Sequence, residues 1–192
     1  MKLTFEANLE YQRDAVRAVV GLFEGQPKGD SVSEFGLDEA GTLVLPNAVG
    51  NRLAISDGQI FANLREIQKE RGVPADAPLC GMNFSVEMET GTGKTYVYLR
   101  TIYELNRQYG FKKFVIVVPS IAIREGVLKN LQITHEHFQN LYGNVPAHYS
   151  VYDSTKVSAL RGFAASDNIE ILVLNIDSFA YPSIHPSSFL HV

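Results

Sequence analysis

The 192-residue sequence predicts an α/β fold with a mainly parallel sheet flanked by helices. Two almost continuously apolar runs, KFVIVV at 113–118 and IEILVLN at 169–175, are typical of strands buried on both faces of a parallel sheet. Segments with helical spacing of apolar residues lie before, between and after these runs. Because strands that alternate with helices form βαβ units, we expect parallel pairing of the strands.

The N-terminal part predicts one helix followed by a loosely patterned region. Residues 9–23 have apolar side chains at helical spacing, and Asn8 is a candidate N-cap. From 24 to 81, Gly, Pro, Asp and Ser recur, which is typical of an insertion or a small subdomain. This region contains a strand candidate at 42–45 and a helix candidate at 57–70, and it has no assignable function.

The sequence after Gly81 shows clearer patterns of strands and helices. Residues 84–88 alternate apolar and polar and predict a short strand, and a helix follows from the glycine-rich turn at 91–95 to about Tyr109. The remaining predicted elements are a strand at 113–118, a helix at 121–138, a strand at 149–152, a helix at 155–165 and a strand at 169–175. We therefore divide the chain into an N-terminal helix at 1–23, the insertion at 24–81, an α/β domain at 82–180 and an irregular tail at 181–192.

The string ETGTGKT at 89–95 follows the predicted strand at 84–88 and opens a predicted helix, which is the context of a phosphate-binding loop. Glycine tolerates positive φ, so backbone N–H groups can converge on a phosphate at the positive end of the helix. The Lys94 ammonium would reach the β- and γ-phosphates, and the Thr95 hydroxyl would ligate Mg²⁺. The predicted site for ATP and Mg²⁺ consists of Thr90, Gly91, Thr92, Gly93, Lys94 and Thr95. The alternative is a turn with incidental glycines.

Composition limits the other classes of function. The formal charge of −4 and the pI of about 5.7 argue mildly against a nucleic-acid partner. No apolar run approaches the roughly 18 residues of a membrane span, so we expect a cytoplasmic protein without a membrane partner. Cys80 is the only cysteine, which excludes a disulfide within the chain. His135 and His137 are two residues apart and do not form the HExxH zinc pattern.

Together, these motifs resemble the motor (Res) subunit of type III restriction-modification enzymes, a helicase-like family of superfamily 2. The resemblance covers residues 3–179 and rests on METGTGKT, with YQRDAV, VVPSIAIREGV, VYDS and ILVLNIDSF in support. Met88 stands where the general phosphate-loop pattern has glycine, a position that superfamily 2 helicases commonly relax. The resemblance implies a RecA-like P-loop fold, in which 82–180 is part of the first motor domain. Other superfamily 2 helicases and type I restriction motors share the layout.

The resemblance also implies roles for residues outside the loop. Gln12 resembles the helicase glutamine that reads adenine, since an amide can pair with N6 and N7 of that base; the alternative is an exposed helix residue. Ser120 and Arg124 stand where such motors contact the DNA backbone, although a solvated helix start is the alternative. Ser154 and Ser178 are weaker candidates. The implied partners are double-stranded DNA, the modification methyltransferase subunit and the remainder of the motor and nuclease subunit.

The family's Asp-Glu box, whose acids hold Mg²⁺ and position water, is absent from the sequence. The pair Asp38 and Glu39 precedes the phosphate loop and is followed by Ala-Gly, so we reject it as that box. We interpret the chain as an N-terminal fragment that binds ATP-Mg and scarcely hydrolyses it. Two other classes remain open: a P-loop kinase for a small molecule, which more than eighty preceding residues disfavour, and a nucleotide-binding module without enzymatic activity.

Overall fold

The computed structural model describes residues 5–29, 48–74, 81–153 and 156–179. Outside these residues lie the strand candidate at 42–45, the Asp38-Glu39 pair, Cys80, Ser154 and the tail at 181–192. Contacts divide the chain into two compact units. The first, which we call the loop unit, comprises Met1–Lys28 and Leu53–Tyr109; the second, the sheet unit, comprises Gly29–Arg52 and Gly110–Val192.

The described part of the loop unit consists of three helices: α1 (Glu10–Gly21), α2 (Asp57–Glu70) and α3 (Lys94–Tyr109). The bounds of α2 and α3 confirm the sequence prediction. Helices α1 and α3 pack together through buried apolar side chains, among them Val16, Val20, Val97, Leu99, Ile102 and Leu105. The Tyr109 hydroxyl at the end of α3 donates to the Val20 carbonyl at 3.1 Å.

Helix α2 is attached to the C-terminal end of α1 by side-chain hydrogen bonds. The Asn63 amide donates to the carbonyl oxygens of Leu22 and Glu24, at 2.9 Å each. Arg71, which follows α2, donates to the Asp14 carbonyl at 2.9 Å. The two Asn63 bonds satisfy carbonyl groups just after the end of α1 that have no helical partner, and the Arg71 bond reaches a carbonyl within the helix. Residues 53–74 therefore fold with the loop unit, while residues 29–52 are grouped with the sheet unit.

Two local predictions in the loop unit are wrong. Asn8 is not the N-cap of α1: Leu9 occupies the cap position, and its side chain makes no capping bond. The Asn8 backbone N–H instead donates to the Glu6 carboxylate at 2.8 Å. Residues 84–88 form no strand, because a strand needs a ladder partner and the alternation of three apolar side chains does not supply one. Phe84 packs edge-on against Phe61, with ring centroids 6.3 Å apart.

The sheet unit confirms the predicted α/β fold. It contains β1 (Lys113–Val118), α4 (Ile121–Leu141), β2 (Ala147–Val151), α5 (Val157–Ala165), β3 (Ile169–Asn175) and a 3₁₀ turn (Ile176–Phe179). The strand order is β1-β3-β2, and both pairings are parallel. Lys113 is opposite Glu170 in one ladder, and Ala147 is opposite Ile169 in the other.

The central position of β3 determines which strand is buried. All seven residues of β3 are buried, as the sequence predicted for this run. The prediction that β1 is buried on both faces is wrong, because Val115 and Val117 are 53% and 48% exposed. Among the described elements, β1 pairs with β3 alone, and α4 packs against β1 and β3.

Asn51 binds the beginning of β1 with its side chain. Its Oδ1 atom accepts from the N–H groups of Lys112 and Lys113 at 2.7 and 3.0 Å, and its Nδ2 atom donates to the Lys113 carbonyl at 2.7 Å. Close by in sequence, the Val49 N–H donates to the Ala164 carbonyl at the end of α5 at 2.7 Å. The amide therefore satisfies backbone groups that would otherwise lie unpaired at the sheet edge.

Candidate nucleotide-binding site

The glycine-rich loop turns directly into α3. Gly91 and Gly93 have φ angles of +83° and +87°, in the left-handed region that favours glycine. The Thr92 hydroxyl donates to the Glu89 carbonyl at 2.6 Å, which closes the turn. Helix α3 begins at Lys94, so the N–H groups of its first turn lack helical partners. A loop of this shape at a helix N-terminus can receive an anion.

Lys94 lies at the exposed end of this loop. Its Nζ atom donates to the Glu89 carbonyl at 2.7 Å, so the ammonium group is bound by the loop itself. Thr90 and Gly91 are exposed beside it. A Cβ atom added at Gly91 would meet nothing within 4 Å, so the space over this part of the loop is open.

Thr95 is half-buried in the first turn of α3, three residues before Tyr98. The Tyr98 hydroxyl is buried and makes no hydrogen bond of normal geometry within the described residues. Burial raises the pKa of Tyr98, and the neighbouring Thr95 side chain opposes part of that rise. We did not predict this neighbour from the sequence, although the i, i+3 spacing could have indicated it.

Gln12 contacts the loop from α1, eighty positions earlier in the chain. Its side chain is 7% exposed, so it is not an exposed helix residue. The Nε2 atom donates to the Thr92 carbonyl at 2.8 Å. A Cβ atom placed on Gly93 would approach Nε2 to 2.6 Å, which shows how closely the amide and the loop backbone are packed. The structure thus brings Gln12 together with the predicted phosphate-binding residues.

Arg100 in α3 makes a hydrogen bond to the segment before α1. The sequence analysis did not predict this contact. Its guanidinium Nη1 atom donates to the Ala7 carbonyl. The Phe5 and Tyr96 rings stack nearby, with centroids 6.1 Å apart and an interplanar angle of 15°. Burial raises the pKa of Tyr96, and Arg100 partly offsets that rise. A lone arginine within a helix gives no sequence signal for a partner more than ninety residues away.

A separate groove of about 580 Å³ lies between α1 and α3. Among its lining residues are Arg13, Arg17, Arg100, Glu104, Arg107 and Tyr109. Arg17 pairs with Asp14 and Arg107 with Glu104, so these two cations are neutralised within the unit. The groove follows α3 from Arg100 onward, whereas the phosphate loop lies at the N-terminus of that helix.

The two predicted DNA-contact residues lie in the sheet unit, at the beginning of α4. Ser120 is the N-cap of α4, and its hydroxyl accepts from the Ile123 N–H at 3.3 Å. The Arg124 guanidinium pairs with the Glu125 carboxylate at 2.9 Å. Ser178, the weaker candidate, is half-buried in the 3₁₀ turn.

The described residues contain neither a cluster of metal ligands nor a helix that could span a membrane. Across 5–29, 48–74, 81–153 and 156–179, no cluster of three or more His, Cys, Asp or Glu side chains could hold a metal ion. In the same ranges, no helix has both the length and the apolar character to cross a bilayer.

Comparison with models of protein families shows which family the chain belongs to. Residues 8–188 match the family model described as "Type III restriction enzyme, res subunit". The chain belongs to this family. The parallel sheet and the helices beside it are consistent with the RecA-like P-loop fold that the resemblance implied.

Three curated relatives carry the same description. The chain is 31% identical to the type III restriction-modification enzyme EcoPI Res subunit of Escherichia phage P1, over 90% of its own length. It is 34% identical to the EcoP15I Res subunit of Escherichia coli over 72% of its length, and 52% identical to the StyLTI Res subunit of Salmonella typhimurium over 32%. The chain spans 19% of the EcoPI relative and 14% of the EcoP15I relative.

Proposed function

We propose that this chain is the ATP-binding part of an ATP-dependent DNA translocase or helicase-like subunit of a type III restriction endonuclease. The observation that carries the proposal is the glycine-rich loop at the start of α3, with the Gln12 amide bound to it at 2.8 Å. Membership of the Res family supports the reaction class. Family membership alone does not indicate which residues of the chain bind the nucleotide.

The residues present fit ATP with Mg²⁺. The positive φ angles of Gly91 and Gly93 let the loop backbone curve around an anion, and the open space at Gly91 leaves room for one. In this proposal Thr90 to Gly93 supply backbone N–H donors, and Lys94 supplies a mobile positive charge. The Thr95 hydroxyl is an oxygen ligand of the type that Mg²⁺ prefers. When bound, ATP-Mg supplies the transferable phosphoryl group and the charge of the metal ion.

Gln12 is the proposed reader of adenine. An amide offers both an acceptor and a donor, which adenine requires at N6 and N7, whereas guanine presents O6 as a second acceptor. The position of Gln12 beside the loop supports this role, because the base of a bound nucleotide is attached to the phosphates that the loop would hold. This arrangement would favour ATP over GTP.

The proposed DNA contacts are Ser120 and Arg124, at the start of α4. A hydroxyl and a guanidinium are both common ligands of phosphate oxygens. Arg124 would exchange its pairing with Glu125 for a phosphate. In the complete protein, we propose double-stranded DNA, the methyltransferase subunit and the rest of the motor and nuclease subunit as partners, in keeping with the names of the relatives.

An ATPase assay on the complete Res subunit assembled with its methyltransferase tests this function. Duplex DNA should stimulate ATP hydrolysis, and Lys94→Ala should abolish the stimulated rate. Phosphate transfer from ATP to a metabolite, without stimulation by DNA, would indicate a small-molecule kinase instead. ATP binding without either reaction would indicate a nucleotide-binding module.

A further inference from the structure

The groove between α1 and α3 has no part in the proposed function. It has a volume of about 580 Å³ and is lined by the two helices and by the segments next to α1. A groove of this size can receive a short peptide or a small molecule. Four arginines and two glutamates line it, in a chain whose formal net charge is −4. The groove is therefore more basic than the chain as a whole.

Two of the four arginines have carboxylate partners. Arg17 pairs with Asp14 at 3.1 Å, and Arg107 pairs with Glu104 at 2.5 Å. The Gln108 amide also donates to the Glu104 carboxylate, at 3.4 Å. A ligand would have to displace an existing partner at these residues.

Arg13 and Glu24 are the lining charges without a partner. Both residues are exposed, and within the described part of the chain neither side chain makes an ion pair or a hydrogen bond. They are eleven positions apart, which is about three helical turns, or about 16 Å, along one side of α1. The Glu24 N–H donates to the Gly21 carbonyl at 3.1 Å, so the chain continues in a helical path beyond the end of α1. The groove therefore has an uncompensated positive charge near one end and a negative one near the other.

Arg100 adds a second positive charge at the Arg13 end. Its Nη1 atom donates to the Ala7 carbonyl, just before α1, and Arg13 is in the first turn of that helix. The Arg100 Nε atom is buried and makes no hydrogen bond within the described residues. Guanidinium groups form strong, often bidentate, hydrogen bonds with carboxylates. This end of the groove is therefore suited to an acidic side chain.

The separation of the two charges indicates the class of ligand. A nucleic-acid strand carries a negative charge at every nucleotide, so it would place a phosphate beside Glu24. A single small anion would use the positive end alone. An extended peptide covers 16 Å in about five residues, at about 3.3 Å each. It can place a carboxylate at Arg13 and a basic side chain at Glu24.

We propose that the groove between α1 and α3 binds an extended segment of a partner protein, with an acidic and a basic residue about five positions apart. The acidic residue pairs with Arg13 and Arg100, and the basic residue pairs with Glu24. This inference goes beyond the proposed function, because it requires neither a nucleotide nor DNA.

A phage-displayed library of random dodecapeptides is the probe, selected on the full 192-residue chain. The selected peptides should share an Asp or Glu and a Lys or Arg that are four to six positions apart. One selected peptide is then labelled with fluorescein, and its affinity is measured by fluorescence anisotropy. Arg13→Gln and Glu24→Gln should each weaken binding by about threefold to tenfold, the usual effect of one lost hydrogen-bonded contact.

The matched controls make the same changes on exposed helical side chains outside the groove. Arg161→Gln in α5 and Glu70→Gln in α2 should bind the peptide like the wild type. Equal affinity of the wild type, Arg13→Gln and Glu24→Gln would place the peptide elsewhere and overturn the inference. Selection of uniformly acidic peptides, displacement of the peptide by oligothymidylate, or no selected peptide at all would also overturn it.

Cross-linking to the wild type locates the peptide without any substitution in the protein. A benzophenone group is placed between the acidic and the basic residue of the selected peptide, and the cross-linked residues are identified by mass spectrometry. They should fall in α1 and α3. Cross-links confined to the sheet unit would contradict the proposed site.

Discussion

The Nζ atom of Lys94 donates a hydrogen bond to the carbonyl oxygen of Glu89 at 2.7 Å. The Thr92 hydroxyl donates to the same oxygen at 2.6 Å, so one carbonyl collects two side-chain donors of the loop. A bound phosphate would exchange the lysine contact for one between two charged groups, which is stronger than a bond to a neutral carbonyl. The exchange needs only rotation of an exposed side chain.

Replacing Lys94 with alanine should weaken binding of ATP-Mg by about tenfold to a hundredfold, the usual effect of losing a hydrogen bond to a charged group. The fold should survive, because the side chain is exposed and its contact with Glu89 lies within the loop. Calorimetric titration measures the affinity, and Lys69→Ala, on an α2 side chain that is 80% exposed, is the control. Unchanged ATP affinity in Lys94→Ala would contradict the site.

Two glycine substitutions distinguish backbone strain from displacement of Gln12. Gly91→Ala and Gly93→Ala both place a side chain at positive φ, which costs about 1–2 kcal/mol. Only at Gly93 would the new Cβ also collide with the Gln12 amide. Gly93→Ala should therefore lower the free energy of unfolding further, by about 0.5–1.5 kcal/mol for the lost hydrogen bond. Urea titration measures both variants, and equal losses would show that Gln12 does not restrict this position.

Replacing Gln12 with alanine should narrow the preference for ATP over GTP. The base contact is lost only for ATP, so ATP affinity should fall more than GTP affinity. Competition between the two nucleotides for the same site gives the ratio directly. The same ratio before and after the substitution would remove the adenine-reading role.

Ser120 can be tested as a helix cap and as a DNA contact by separate substitutions. Ser120→Ala should cost about 1 kcal/mol of stability because the bond to Ile123 N–H is lost. Ser56→Ala is matched to it, since Ser56 caps α2 with the same 3.3 Å distance to Gln59 N–H. Ser120→Asp keeps the cap but repels phosphate. In the complete subunit it should weaken duplex DNA binding, and unchanged DNA affinity would leave Ser120 as a cap only.

Tyr98 should make stability decline at alkaline pH. Burial raises the pKa of Tyr98 above the ordinary value for tyrosine in the folded protein. Above about pH 10 the unfolded chain loses this proton first, so the folded state binds more protons and its stability falls as the pH rises. Tyr98→Phe should therefore lose less stability than the wild type between about pH 9 and 11. Urea unfolding across this range measures the difference.

The control for Tyr98 is Tyr149→Phe, on a β2 side chain that is 41% exposed. It should follow the wild-type pH profile. Identical alkaline profiles of Tyr98→Phe and the wild type would show that burial of this hydroxyl does not contribute to the pH dependence.

The elements that we predicted correctly are those that local patterns in the sequence determine. Helices α2 and α3 and strands β1 and β3 were located correctly, because periodicity, glycine stops and continuous apolar runs are local properties. The other helices and β2 were located within three residues. The glycine-rich turn before α3 was also located correctly, and the binding roles of its residues stay a prediction.

The wrong or missed predictions concern contacts between distant parts of the chain, which local sequence patterns do not specify. Residues 84–88 have the alternation of a strand but no ladder partner in the described structure. Val115 and Val117 are two residues apart and lie on one face of β1, and their exposure shows that the described residues leave this face largely uncovered. Sequence order alone does not say which face of a strand will be covered. The bond from Gln12 to the Thr92 carbonyl joins residues eighty positions apart, and the motifs predicted only that both serve the nucleotide.

The strand order β1-β3-β2 has a consequence for biosynthesis. Strands β1 and β2 are made first, and in the described sheet they do not pair with each other: each has its ladder partner in β3, at 169–175. The emerging polypeptide therefore carries the apolar stretch KFVIVV without its β3 partner for about fifty residues of translation. During that interval the unpaired strand is exposed to aggregation, and ribosome-associated chaperones would be most useful there.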